Sequence, residues 1–175
     1  MLLSNFSIIS WGQDMKSQLK STISHMKNGR TLLHLAAKKG KLEVYKNLVK
    51  MTHDKNPKDK HGWTPLHLAA QEGDLEMYIF IAGIVEDKNP KADLKANLWT
   101  PLHCAAQNGH FKMVELICSI VVEIHPKDTN QNTPRNIAQI HGRSDICDLY
   151  MYIWMNNWHH IPNYYFKTYI ENYSC

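Results

Sequence analysis

The sequence predicts an all-α solenoid, a rod of stacked two-helix units, on three observations. Thr64-Pro65-Leu66-His67-Leu68-Ala69-Ala70 returns as Thr100-Pro101-Leu102-His103-Cys104-Ala105-Ala106. It appears earlier with one change, Thr31-Leu32-Leu33-His34-Leu35-Ala36-Ala37, and later in worn form, Thr133-Pro134-Arg135-Asn136-Ile137-Ala138-Gln139. The four threonines lie 33, 36 and 33 residues apart, and nine residues after each stands a glycine: Gly40, Gly73, Gly109, Gly142. A fixed period of this length marks an array of small units. Its 175 residues fit one rod with a single continuous core.

Each unit opens with threonine as N-cap, its hydroxyl expected to take a free backbone N–H of the first turn. Pro65, Pro101 and Pro134 follow at N1, where the missing N–H costs nothing and the fixed φ suits the helix. Leu32 lacks that advantage, so the first unit's helix is expected to start less sharply. The paired alanines make one side of this helix thin, which lets a neighbouring helix approach. Each glycine then ends the helix as a left-handed cap residue.

A second helix is predicted in every unit from Leu42, Val44, Tyr45, Leu48 and Val49, then Leu75, Met77, Tyr78, Ile81 and Ala82. Phe111, Met113, Val114, Leu116 and Ile117 serve the third unit, and Ile146, Cys147, Leu149 and Tyr150 the fourth. Two helices this short do not fold alone, so neighbours must complete each core. Pro57, Pro90 and Pro126 stand 26 residues after their threonines. The extra three residues of the 36-residue period therefore fall between Pro90 and Thr100, lengthening one projecting loop at low cost.

The expected organisation is a leader over 1–27, an array over 28–157 and a tail over 158–175. The repeats run about 28–57, 58–90, 91–126 and 127–157. In the leader, Met15, Leu19, Ile23 and Met26 form one apolar helical stripe, either a cap for the first face of the array or a frayed extension. The tail is rich in aromatics and has no repeat register.

Composition excludes several functions. A net charge of +4, dispersed along the chain, is too weak to argue for nucleic acid. No run of 18 apolar residues suggests a membrane span, and the start lacks the basic region and cleavage site of a secretory signal. Four cysteines without close pairing suit reduced thiols, so a cytoplasmic or nuclear setting is expected. His159-His160 lacks a third ligand at zinc-like spacing. Neither a nucleophile with its base nor a glycine-rich phosphate loop is present, so no enzyme activity and no cofactor are expected.

With these motifs in view, the chain resembles the ankyrin repeat family, on Gly62-x-Thr64-Pro65-Leu66-His67-Leu68-Ala69-Ala70-x-x-Gly73 and its register copies. The resemblance implies L-shaped units of two antiparallel helices plus a β-hairpin loop, stacked into a curved solenoid. It also implies that the motif's Thr and His hydrogen-bond within and between repeats, a scaffold role for Thr31/His34, Thr64/His67 and Thr100/His103, with Pro65 and Pro101 starting helices. The hairpin glycine is kept as Gly29 and Gly62 but becomes Leu98 and Gln131, so those turns are expected to differ in shape. Arg135, Asn136 and Gln139 place polar groups where a further repeat would press, as a terminal unit needs.

Partners in the family lie in the concave groove, touched by hairpin tips and first helices. The candidate protein-binding residues are Arg30, Trp63 and Trp99 just before the threonines, His61 at a hairpin tip, and Lys38, Lys39, Gln71, Glu72, Gln107 and Asn108 at the first helices' ends. Trp63 and Trp99 are either interface anchors or packed along their own hairpins. Lys27, Arg30, Lys38 and Lys39 either make one end of the groove basic, fitting an acidic partner, or form a solvated face. The function expected is a non-enzymatic protein-binding module. The alternative is an assembly component that oligomerises through the aromatic tail.

Overall fold

The computed structural model describes residues 27–157. Eight α-helices follow one another in pairs: α1 (Leu32–Lys38) and α2 (Leu42–Val49), α3 (Pro65–Glu72) and α4 (Leu75–Ile84). Then come α5 (Pro101–Asn108) and α6 (Phe111–Ile120), and α7 (Pro134–Ile140) and α8 (Ser144–Asn157). The first helices stand side by side, α1 on α3, α3 on α5 and α5 on α7, and each second helix packs behind its own partner. The predicted leader helix over 14–26, the aromatic tail and the His159-His160 pair lie outside the described residues.

The alanine pairs explain how the first helices come so close. Ala36, Ala37, Ala69, Ala70, Ala105 and Ala106 are all at most 1% exposed, so two helix backbones meet with only methyl groups between them. Larger side chains from the second helices fill the layer behind: Tyr45, Met77, Tyr78, Ile81, Met113, Val114 and Ile117. Two of these are phenols whose hydroxyls must be satisfied on burial. Tyr45 donates to the Lys55 carbonyl at 2.7 Å and Tyr78 donates to the Lys88 carbonyl, fixing the same loop residue in successive repeats.

The helix starts differ from expectation in one respect. Thr31, Thr64 and Thr100 are N-caps with extended backbone in capping boxes with the histidine three residues on, but their hydroxyls contact its Nδ1 and face its N–H without a full hydrogen bond. Only Thr133 caps as expected, its Oγ1 accepting from the Asn136 N–H at 3.3 Å. Leu32 starts its helix in the same register as Pro65 and Pro101, so the lost proline does not delay the start. Asn56 and Asn89 supply what threonine does not: each Oδ1 accepts from an N–H in the following repeat, Leu66 and Leu102 respectively, both at 3.1 Å.

At the helix ends Gly73 and Gly109 are left-handed caps, φ 72° and 78°. Space demands glycine there as much as φ does. A Cβ on Gly73 would meet the His110 ring at 2.8 Å, and one on Gly109 would meet the Arg143 side chain at 2.9 Å.

The inter-repeat loops turn back like hairpins, yet no strand is present among the described residues. One backbone bond closes each: Asp59 N–H to Trp63 carbonyl at 2.8 Å, Ala92 to Trp99 at 2.8 Å, Asp128 to Asn132 at 2.9 Å. One more joins each tip to the tip before it: Lys60 N–H to Asn28 carbonyl at 2.9 Å, Asp93 to His61 at 3.0 Å, Thr129 to Asn97 at 3.1 Å. The third loop does differ in shape. Its three extra residues form a 3-10 turn, Leu94–Ala96, after which Asn97 and Leu98 both take positive φ. The fourth does not: Gln131 simply adopts the glycine's left-handed conformation, φ 64°. Arg135 also departs from expectation, being 4% exposed at the position of Leu33, Leu66 and Leu102 and not turned to water; Gln139 is exposed.

Candidate protein-binding groove

The threonine–histidine pair ties each repeat to the next. Thr31, Thr64 and Thr100 donate their backbone N–H to Nδ1 of His34, His67 and His103 at 3.1, 3.1 and 3.2 Å. An acceptor Nδ1 leaves the proton on Nε2. Nε2 then donates across the repeat boundary to the carbonyls of Trp63 (2.9 Å), Trp99 (3.0 Å) and Asn132 (3.2 Å). All three rings are fully buried. Burial penalises the imidazolium and lowers each pKa, that of His67 to about 4. These histidines, with Pro65 and Pro101 beside them at N1, hold the scaffold.

Above this ladder lie the hairpin tips. Asp59 organises the first complete one: its Oδ1 accepts from the N–H of His61 (2.8 Å) and Trp63 (3.0 Å), and its Oδ2 from Arg30 Nε at 3.1 Å. Burial alone would raise its pKa; the N–H of His61, the Arg30 guanidinium and the N–H of Trp63 outweigh it and hold the carboxyl low. Asp128 repeats the arrangement with the N–H groups of Asn130 and Asn132, both at 2.8 Å. Ala92 stands in the aspartate's place in the longer third loop.

The candidate residues fall into two groups. Arg30, Trp63 and Trp99 are half-buried, and each has one side taken up by the scaffold. Arg30 is paired with Asp59, Trp63 tilts over His67 with centroids 5.3 Å apart, and Trp99 stacks on His103 at 6.0 Å and 17°. Lys38, Lys39, His61, Glu72 and Asn108 are exposed, and Gln71 and Gln107 are half-buried. Of the exposed set, His61 stands at a hairpin tip, and Lys38, Lys39, Glu72 and Asn108 stand at first-helix ends.

What the sequence reading missed is how two of these helix ends are held. His110 Nε2 donates to the Gln71 carbonyl at 2.8 Å, and Arg143 Nε to the Gln107 carbonyl at 3.3 Å. The third and fourth repeats thus each pin the first-helix end of the repeat before them. The signal was present ten residues after each threonine, at Asp74, His110 and Arg143, but those positions vary in residue type and do not read as a motif. Gln107 Nε2 also reaches His141 Nε2 at 3.3 Å, and Asn108 Nδ2 donates back to the Cys104 carbonyl at 2.9 Å.

The array offers little for other chemistry. Among the described residues no His, Cys, Asp and Glu group could hold a metal, and no helix is long and apolar enough to cross a membrane. Burial pushes the Cys118 thiol up to about 11 and Cys104 higher still, which makes both poor nucleophiles.

No curated protein gives a significant match to the chain. A family model described as ankyrin repeats (3 copies) matches residues 6–92 and again 83–152, nearly the whole of the array seen in the structure. With the Thr–His ladder, the helix pairs and the stacked turn-back loops, that match leaves one assignment: the chain belongs to the ankyrin repeat family.

Proposed function

We propose that this array is a non-enzymatic binding module that holds a protein partner along its groove. Ankyrin repeats are generally protein–protein interaction modules, and typically without enzymatic activity. One observation supports the groove in particular. The backbones at Gln71 and Gln107 are pinned by the next repeat, while the neighbouring Glu72 and Asn108 are exposed, as are Lys38, Lys39 and His61. A surface already ordered before binding loses little entropy on binding. Among the described residues Lys38 and Lys39 have no ion-pair partner, which favours an acidic partner segment over the first repeat. Trp63 and Trp99 contribute their exposed edges at the centre, their positions set by the stacked histidines. A reducing compartment, cytoplasm or nucleus, suits the free thiols of Cys104 and Cys118.

The test compares capture from native cells by three full-length proteins. One is wild type; one carries Lys38→Glu, Lys39→Glu, Glu72→Lys and Asn108→Arg; one carries Lys112→Glu and Glu115→Lys on the exposed side of α6. A partner kept by the first and third proteins and lost by the second supports the groove; a partner kept by all three refutes it. A second reading, assembly through the C-terminal end, is favoured by Tyr152 and Met155, which are 64% and 51% exposed on the last turns of α8. Light scattering of a Tyr152→Ser, Met155→Ser variant checks it, since an oligomer held there would fall to a monomer.

A further inference from the structure

We infer that the insertion in the third hairpin, Leu94–Ala96, is a specificity contact that seats Leu94 in an apolar, carboxylate-rimmed pocket of the partner protein. It rests on the binding module proposed above. Compared residue by residue, the hairpins share one joint. Lys60, Asp93 and Thr129 donate their N–H to the carbonyls of Asn28, His61 and Asn97 on the preceding tips. In the second and fourth hairpins the donor is followed at once by the residue in the joint's acceptor position, Lys60 by His61 and Thr129 by Asn130. In the third, Leu94, Lys95 and Ala96 stand between Asp93 and Asn97, so the insertion adds nothing to the ladder of tips. It does carry a cost. The chain leaves it through two successive left-handed residues, Asn97 (φ 59°) and Leu98 (φ 56°), where the second hairpin uses Gly62. A bulky side chain holds that conformation only under strain.

Packing within the array does not offset that strain. Leu94 is 72% exposed, and among the described residues no other hairpin tip presents a large exposed apolar side chain. Yet the insertion is ordered. The N–H groups of Ala96 and Leu98 both reach the Asp93 carbonyl, at 2.9 and 3.1 Å, and that of Asn97 reaches the Leu94 carbonyl at 3.1 Å. The Trp99 N–H closes onto the Ala96 carbonyl at 3.2 Å, so the turn is built onto the groove residue that stacks on His103. A leucine held out to water on such a base loses little freedom when a partner covers it. Its surroundings give the partner's chemistry. Lys91 and Lys95 flank it in the same loop and Lys60 lies on the adjoining tip, all exposed and without an ion-pair partner among the described residues. The carboxylate of the same turn, Asp93, lies back against Gly62, where a Cβ would meet its Oδ1 at 2.6 Å. An apolar pocket with carboxylates at its rim complements both the leucine and the lysines. A lipid surface, having no fixed shape, gains nothing from a single leucine held so rigidly.

The experiment screens the full chain against a display library of folded protein domains from native cells. It compares wild type, Leu94→Asp, the four-residue groove variant above, and a shortened form that lacks Leu94, Lys95 and Ala96 and carries Leu98→Gly. The shortened form should melt at or above the wild-type midpoint, because the insertion lies outside the ladder. Domains enriched by wild type should bind Leu94→Asp and the shortened form at least tenfold more weakly. A Lys91→Glu, Lys95→Glu form should weaken the same domains and reduce the salt dependence of their binding. A shortened form that melts well below wild type would overturn the inference, since the insertion would then belong to the scaffold. Domains lost only by the groove variant would overturn it and leave the groove reading intact. Domains lost by the Leu94 variants and kept by the groove variant would uphold the contact and sink the groove reading. A library in which wild type enriches no domain would overturn both. Pelleting with phosphatidylcholine–phosphatidylserine vesicles that Leu94→Asp abolishes would overturn it in favour of a lipid surface.

Discussion

The first and last repeats share one backbone plan and solve opposite problems. The fourth keeps its inner face apolar and turns Gln139 to water, at the position where Ala37, Ala70 and Ala106 are wholly buried against the next repeat. Asn136 completes the change. Its Oδ1 accepts from the Thr133 N–H at 2.9 Å and from the Thr133 hydroxyl at 2.8 Å, which is the Nδ1 half of a histidine's work. The other half, an arm reaching the next loop's carbonyl, is dropped. The first repeat makes no such concession: Leu32, Leu35 and Val44 remain apolar and half-open. One motif therefore separates into a part that builds a repeat and a part that joins it to a neighbour, and the two ends show which residue does which.

Exchanging the end residues should expose this asymmetry most strongly. Ala37→Gln forces a polar side chain between α1 and α3, combining overpacking with an unpaired amide at a site of 0% exposure. A loss of about 4 kcal/mol is expected, a large part of such an array's total stability. The reciprocal Gln139→Ala lies at the exposed counterpart and should change stability by less than about 0.5 kcal/mol. Urea denaturation of both variants decides it; equal losses would mean that the two positions face alike.

Acid should unlock the histidine joints before it disturbs the fourth repeat's asparagine. Folding lowers the His67 pKa from 6.5 to about 4, so the folded array binds fewer protons than the unfolded chain. Its contribution is complete above pH 6.5 and is lost as pH falls toward 4, roughly 3 kcal/mol in all. His34 and His103 shift in the same direction and add to the slope. Asp59 and Asp128, whose pKa values are lowered from 3.8, begin to lose their contribution only below that pH. A His67→Asn variant keeps the inner bond, leaves the Trp99 carbonyl without its donor, and should cost about 2 kcal/mol at neutral pH. It should also make the profile shallower between pH 6.5 and 4, leaving the slope that His34 and His103 supply. Asn136→His, with no following loop in reach among the described residues, should be close to neutral. Thermal melts across that pH range measure all three effects.

The loops offer a smaller contrast. Gln131 holds φ 64° where Gly62 holds 75°, a conformation in which a side chain costs about 1 kcal/mol. Gln131→Gly should therefore raise stability by about that much. Gly62→Gln should lose more than the φ penalty, because its Cβ would lie 2.5 Å from the Asp93 backbone nitrogen. Comparing the two melting curves separates the φ cost from the steric one.

Much of this architecture was legible in the sequence because the scaffold is built from identical residues at fixed spacing. Thr64, Pro65, His67 and Gly73 each do the same job in several repeats, so repetition announces them. The joints read less well. Asp74, His110 and Arg143 occupy one position with three chemistries, and only coordinates show two of them reaching back to the preceding repeat. Arg135 misled for a related reason: a charged residue in a leucine's position suggests a surface, yet it is buried. Trp63 and Trp99 stood between anchoring a partner and packing on their own repeat, since only coordinates bring each indole onto the histidine four residues on.

The finest test of the comparison is at Leu32. It occupies N1, where a helix N–H has no partner within the helix and proline is already pre-shaped. Since α1 begins in register without proline, the backbone there already has the geometry that Pro65 and Pro101 enforce. Leu32→Pro should then stabilise the array by about 0.5 kcal/mol, through lost freedom of the unfolded chain alone. That gain is expected only if the leucine side chain contributes little. Leu32 is only half-buried, so an apolar contact that proline's smaller ring replaces in part would shrink or reverse the gain. Adding a Leu32→Ala variant separates the two terms, since alanine removes the side chain and leaves the backbone free. A gain for proline with little loss for alanine would leave the position a matter of backbone alone, while a loss for both would assign Leu32 to packing.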